Sequence, residues 1–154
     1  MSKFWTFEKE RLKSLVTVYL NTGYDFDNCF PPNFKKPLTL YFHEIIPMIQ
    51  LGDGFNFIEA VFTKEAVNSF RKNFSHLCLS SMRDRLLKLT KWSLQLKQRA
   101  SSKCFNSYKN LGVYLVISDF TPLPSFSVTA RQGSHAKNLF SDESIQVLIQ
   151  HTRF

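Results

Sequence analysis

Four stretches rich in β-branched and aromatic residues, interrupted once by a helical signal, constrain this chain more than any other feature. Residues 38–51 read LTLYFHEIIPMIQL, and Gly52-Asp53-Gly54 then supplies the backbone freedom that a reversal demands. Beyond it Phe55, Phe57, Glu59 and Val61 alternate with Asn56, Ile58, Ala60 and Phe62, so the two stretches read as a strand pair joined at a glycine turn. Pro47 has no N–H for a ladder and is expected to mark a bulge or an edge within the first strand. Thr63 is placed to cap a helix that carries Ala66, Val67 and Phe70 inward and ends near Ser75. Strand character resumes over Arg85 to Leu96, with imperfect alternation, and over Val113 to Phe120, the clearest buried strand. The polar stretch from Ala100 to Asn110 reads as the hairpin loop between them.

The flanks are helical. Leu12, Leu15, Val16, Tyr19 and Leu20 recur at helical spacing behind a charged first turn that begins at Glu8, with Trp5 and Phe7 packed beside them. Residues 21–37 hold Pro31, Pro32 and Pro37 among Asn, Asp and Gly, which predicts a long loop, laid over the body by Phe26, Phe30 and Phe34. After Pro122 and Pro124 the chain is expected to turn irregular until Ser141-Asp142-Glu143-Ser144. That tetrapeptide starts a last helix with Ile145, Val147, Leu148 and Ile149. The whole predicts a mainly β, α+β domain: a five-stranded barrel with N-terminal, middle and C-terminal helices. Residues 1–154 form one domain in this reading, divided into helix and loop (1–37), barrel (38–124), and loop and helix (125–154).

A chain of 154 residues with 44% hydrophobic residues and 16 Phe has enough apolar material for one core. Acids near the N-terminus break any signal-peptide pattern, and no run of about 18 apolar residues occurs. A soluble intracellular protein with no membrane partner is therefore expected. The net charge of +8 is concentrated: from Arg71 to Lys109 there are ten basic residues against one acid, Asp84, while the remainder is close to neutral. Such a field steers an acidic partner, protein or nucleic acid. The plainer alternative is a solvated basic face that serves solubility.

Chemistry-bearing patterns are missing. Gly52-Asp53-Gly54 lacks the third glycine and the Lys-Ser/Thr of a phosphate loop. Glu8 with Glu10, and Asp142 with Glu143, sit at helix starts, where they act as caps. Cys29, Cys78 and Cys104 have no metal-ligand or disulfide spacing, and His43, His76, His135 and His151 are scattered, so no metal, cofactor or catalytic residue is expected. Cys78, between Leu77 and Leu79, reads as buried filler.

Four segments in order resemble the OB domain of the shelterin subunit called adrenocortical dysplasia protein, whose yeast form is Tpz. They are the Trp-led helix from Trp5 to Leu15, the Gly-Asp-Gly turn running into FIEAVFTKEAV (57–67), RLLKL (85–89) and VYLVISDFTPLP (113–124). The resemblance implies an OB fold at the telomere, in the nucleus. It also implies two partners: the telomerase reverse transcriptase and the protection-of-telomeres protein that holds the single-stranded overhang. Other shelterin bridging subunits are reached through segments outside this chain, and telomeric DNA mostly indirectly. The family's contact with the overhang-binding protein lies largely beyond its barrel, which leaves open that the chain is a fragment of a longer protein.

Carried across, the family's telomerase-recruiting patch falls on Arg71, Lys72, Asn73, Phe74 and His76, and on Arg85 and Lys88, with Arg83 beside them. Where the animal pattern has acids this chain has Arg71-Lys72, so the patch is inverted in sign and is expected to dock an acidic surface. Strand alternation places Arg83 and Arg85 on one side and Lys88 on the other, unless a bulge intervenes. Three readings follow: a protein-docking OB domain, a direct single-stranded DNA binder, and an enzyme or structural module of fortuitous likeness. The second would stack bases on Phe55, Phe57, Trp92 and Tyr114. Against it stands the ordinary tendency of strand aromatics to face the core.

Overall fold

Residues 38–51, expected to hold one strand, are divided between two, the second of which extends to Gly52. The computed structural model describes residues 3–4, 10–98, 111–128 and 136–151. In it a short strand β1 (Lys3–Phe4) and helix α1 (Arg11–Asn21) precede β2 (Leu38–Glu44) and β3 (Gln50–Gly52), which pair antiparallel with Tyr41 opposite Gly52. Pro47 lies in the five-residue connection 45–49, not within a strand, and its missing N–H therefore removes nothing from a ladder. The strand reading of 38–51 failed there because an apolar run does not reveal where a hairpin folds it.

β4 (Asn56–Phe62) pairs antiparallel with β3, and Thr63 then caps α2 (Lys64–Asn73), its Oγ1 accepting the Ala66 N–H at 3.2 Å. α2 ends two residues short of Ser75, with Ala66 and Phe70 buried and Val67 partly so. β5 (Arg85–Gln98) and β6 (Leu111–Ser127) form a long antiparallel pair, and the expected loop from Ala100 to Asn110 lies outside the described residues.

Two further pairings close the barrel. β2 runs antiparallel to β5, with Leu38 opposite Leu89, and β4 runs parallel to β6, with Ala60 opposite Leu115. The ring β2-β3-β4-β6-β5 is a closed mixed five-stranded barrel with the helix α2 between its third and fourth strands, the OB topology. Its interior is filled by Leu40, Phe42, Leu51, Ile58, Leu87, Leu89, Leu115 and Ile117, none more than 1% exposed.

β6 does not become irregular after Pro122 and Pro124. It continues to Ser127, so the barrel outruns the boundary expected at residue 124. Leu86 pairs with Leu123 and Arg85 with Ser127, which leaves 124–126 as a bulge without counterparts in β5, and Pro124 occupies it. At Phe126 and Ser127 β6 pairs with β1, and Phe126 and Val128 join Tyr41, Leu86 and Leu123 in a second apolar cluster outside the barrel core. Tyr41 reaches that cluster across Gly52. A Cβ at position 52 would stand 2.6 Å from Tyr41 Cζ, so this glycine is needed for space, while Gly54, at φ 88°, makes the turn.

α1 buries Leu12, Leu15, Val16, Tyr19 and Leu20, the face its spacing predicts. Its first turn carries no acid, because Glu10 adopts left-handed backbone (φ 54°) and the helix begins only at Arg11; Trp5, Phe7 and Glu8 lie outside the described residues. The loop after α1 folds onto the barrel: Phe26 and Phe30 are buried and stack at 4.7 Å. A last short strand β7 (Lys137–Asn138) runs parallel to the start of β4, and Asp142 caps α3 (Glu143–Gln150) by accepting the Ser144 and Ile145 amides. α3 packs on α1, where Lys13 Nζ meets Asp142 Oδ2 at 3.0 Å.

Candidate functional site

The end of α2 gathers five of the eight residues of the expected docking patch. Arg71 and Lys72 stand exposed in the last turn, where cations complement the helix dipole, and neither is held in an ion pair among the described residues. Asn73 Nδ2 donates to Ser69 Oγ at 3.2 Å. Phe74 is partly buried, stacked on Phe70 with centroids 6.0 Å apart, and His76 is exposed in the next turn. Phe74 is therefore an anchor for the segment more than a surface.

The other three residues are held differently. Arg83 precedes β5 and donates to Glu44 Oε1 at 2.8 Å, which ties it to the end of β2. Asp84 follows in left-handed backbone (φ 67°), so strand alternation does not relate Arg83 to Arg85. Arg85 is partly buried and shares its parity with the core residues Leu87 and Leu89. Lys88 is exposed and shares its parity with Leu86 of the outer cluster. Arg85 and Lys88 thus belong to opposite faces, as alternation predicts.

Beside the α2 end lies a feature the sequence did not disclose: an apolar cavity of about 290 Å³. Phe62, Phe70 and Phe120 form its aromatic wall, with Phe62 and Phe120 at 4.7 Å and Phe70 and Phe120 stacked at 5.5 Å. Val67, Leu77 and Leu79 complete the lining, together with Arg71 and Cys78. The expectation for Cys78 is overturned. With Leu77 and Leu79 partly buried on either side, Cys78 is exposed, and hydrogen bonding with the Ser80 hydroxyl at 2.9 Å and with the Ser80 backbone holds its thiol below the ordinary value. Alternation of Leu77 and Leu79 about Cys78 was the available signal, and it admits both orientations.

A second surface forms on the outer side of β2, β3 and β4. The Phe57 ring stacks on His43 with centroids 4.2 Å apart and planes 12° from parallel, and Tyr41 meets His43 edge-on at 6.1 Å. Burial holds the His43 imidazole below its ordinary value of 6.5. Phe55, 40% exposed, projects from the β3–β4 turn. In β4 the buried set is Asn56, Ile58 and Ala60, so both Phe55 and Phe57 escape the core, against the ordinary tendency. His43 was missed, although Tyr41 and His43 alternate with the core residues Leu40 and Phe42.

Trp92 does not belong to this surface. It is 8% exposed, lies 5.3 Å from Phe26 and 6.4 Å from Phe30, and donates its Nε1–H to the Lys36 carbonyl at 3.0 Å, so neither ring face is free for a base. Tyr114, on β6, donates its hydroxyl to Gln95 Oε1 at 2.7 Å. Among the described residues no three His, Cys, Asp or Glu side chains gather as metal ligands, and no helix is long and apolar enough to cross a membrane.

Closed topology, a cationic helix end beside an apolar cavity, and an aromatic outer face define a small OB-fold domain. Residues 21–154 match the family described as telomere-binding protein beta subunit (TEBP beta), and the chain belongs to that family. It is 33% identical over 153 residues to telomere-binding protein subunit beta of Stylonychia mytilus, an alignment covering 99% of this chain and 38% of that protein. Against the same subunit of Sterkiella nova the identity is 33% over 146 residues, covering 95% and 37%. The chain thus spans a little over a third of the length of these curated relatives. The Est3 telomerase subunit of the yeast Hansenula polymorpha superposes with a TM-score of 0.55 over 77% of this chain and 76% of that one; at 13% identity the likeness is one of fold. The expectation of a telomere-associated OB domain therefore holds at the level of family.

Proposed function

We propose that this chain is a non-catalytic protein-docking module of a telomere-end complex in the nucleus. In this reading the end of α2 engages an acidic partner, for which the shelterin resemblance points to the telomerase reverse transcriptase. The protection-of-telomeres protein is the second partner. The observation that carries the reading is the pair Arg71 and Lys72, adjacent, exposed and without an ion-pair partner among the described residues. Free charge of one sign on a rigid helix end raises association rate and selects partners of opposite sign. Replacing both cations by Glu is expected to abolish capture of the purified reverse transcriptase while leaving the thermal midpoint unchanged. Undiminished capture by that variant would remove the α2 end from the interface.

A second reading, direct contact with single-stranded telomeric DNA, is favoured by the stacked pair His43 and Phe57 and the exposed Phe55. Aromatic faces on the outer strands of an OB barrel suit bases of a single strand. Binding of a telomeric oligonucleotide whose affinity falls steeply with salt, and which is weakened by Phe57→Ala but not by charge reversal at α2, would favour it over docking.

A further inference from the structure

We propose that the cavity beside α2 is an anchor pocket for one apolar side chain of an acidic protein segment, with Arg71 pairing to an adjacent carboxylate of that segment. The inference rests on the docking reading and goes further, because it names what the partner must present.

The walls carry the first half of the argument. Phe62, Phe70 and Phe120 give the pocket a rigid aromatic lining, and Val67, Leu77 and Leu79 leave it mainly apolar, with Arg71 and Cys78 as its polar members. No group of three His, Cys, Asp or Glu side chains that could hold a metal opens into it among the described residues. Its volume of about 290 Å³ is roughly twice the ~150 Å³ of an apolar cavity that accommodates a benzene ring. It lies near the lower bound, about 300 Å³, of small-molecule sites. One Leu, Met or aromatic side chain fits that space better than a nucleotide, which would need more polar groups than Arg71 and Cys78 supply.

The rim carries the second half. Arg71 contributes to the lining and Lys72 follows it, both exposed and neither in an ion pair among the described residues. Anchors seated in a desolvated pocket and ringed by contacts that exclude water are the form binding hot spots take, and the outer rim of such an interface is polar. A cationic rim discriminates against basic segments and favours acidic ones, so the occupant is a segment in which the anchor is flanked by Asp or Glu.

Cys78 makes the pocket testable without a mutation in its wall. The Cys29→Ser/Cys104→Ser variant leaves Cys78 as the only thiol, and N-ethylmaleimide added to the folded protein blocks the mouth. The probe is a short fluorescein-labelled peptide with a central leucine among glutamates and aspartates, read by anisotropy. Its binding is expected to weaken roughly tenfold to hundredfold when the leucine is replaced by alanine, the scale of one buried apolar side chain. Alkylation of Cys78 and Arg71→Glu are each expected to weaken it at least tenfold, and bound peptide to slow alkylation. Val67→Trp, which fills the pocket from α2, gives the same result by an independent route if its thermal midpoint shows that it folds. Equal affinity for the leucine and alanine peptides, or no binding of either at millimolar concentration, overturns the proposal. So does self-association that alkylation abolishes, which would assign the pocket to a second copy of the chain.

Capture of the purified reverse transcriptase separates this proposal from the docking reading. Capture lost on charge reversal but indifferent to Cys78 alkylation keeps the docking surface and overturns the pocket. Leucine-dependent peptide binding without capture keeps the pocket and removes that partner.

Discussion

The carboxylate of Asp53 accepts the Leu12 amide at 2.9 Å across 41 positions of sequence. Leu12 is the second residue of α1, a helix whose own N-cap, Glu10, provides no side-chain hydrogen bond. Asp53 is fully buried, and its other oxygen accepts the amides of Phe55 and Asn56 at 2.9 and 2.8 Å. One side chain therefore caps the N-terminal helix and shapes the β3–β4 turn, fastening α1 to the barrel.

Asp53→Ala is expected to cost about 3 kcal/mol, since it removes a cap and leaves buried amides without partners. Asp53→Asn, which keeps one carbonyl acceptor, should cost roughly half of that. Chemical denaturation of both variants measures the difference. Equal and small losses would mean that water replaces the carboxylate.

Gly52→Ala tests the close approach of Tyr41. The added methyl would stand 2.6 Å from the Tyr41 ring, and the ring is packed among Leu86, Val128 and Phe126, so it has no free direction in which to retreat. Overpacking of this kind costs about 1–3 kcal/mol. Tyr41→Ala in the same chain should recover part of the alanine penalty in a double-mutant cycle.

Trp92 and Phe57 should separate core from surface. Trp92→Ala is expected to destabilise by about 3–5 kcal/mol, as for other buried tryptophans, with any loss of binding following from unfolding. Phe57→Ala should leave the denaturation midpoint within about 1 kcal/mol, because the ring lies on the outer face against His43. If oligonucleotide binding falls only for the second variant, the aromatic face contacts DNA.

His43 predicts a pH dependence of stability. Its folded value is held below 6.5 by burial, so between the two values the unfolded chain binds more protons and stability rises with pH. The contribution is complete above about 6.5 and lost as pH falls through the folded value. Asp142 acts in a separate window. Hydrogen bonding from Ser144 holds its carboxyl at about 2, below the ordinary 3.8, so its contribution survives to lower pH and fades as pH falls below 3.8. Thermal midpoints between pH 7.5 and 5 should therefore fall less steeply in His43→Gln than in the parent chain.

The sequence by itself determined the features whose cause is local. Thr63 and Asp142 cap α2 and α3 because a side-chain oxygen and an amide two or three residues on meet within one turn. Leu12, Leu15, Val16, Tyr19 and Leu20 had to share a face at 3.6 residues per turn, and the two-residue alternation of 56–62 survives as written. Family likeness placed Arg71, Lys72, Asn73, Phe74 and His76 together because they are consecutive or nearly so.

Tertiary structure alone decided what depends on residues distant in the chain. Barrel closure through the β4–β6 and β2–β5 pairs determines which side of each alternation is interior. That is why Trp92 is enclosed by a loop that begins some seventy positions earlier, while Phe57 escapes to meet His43. The same closure sets Phe62 and Phe120 against Phe70 and opens the cavity beside Arg71. It also brings Asp53 under α1. Periodicity records how a segment divides its two faces; only the packing of segments against one another determines which face is covered.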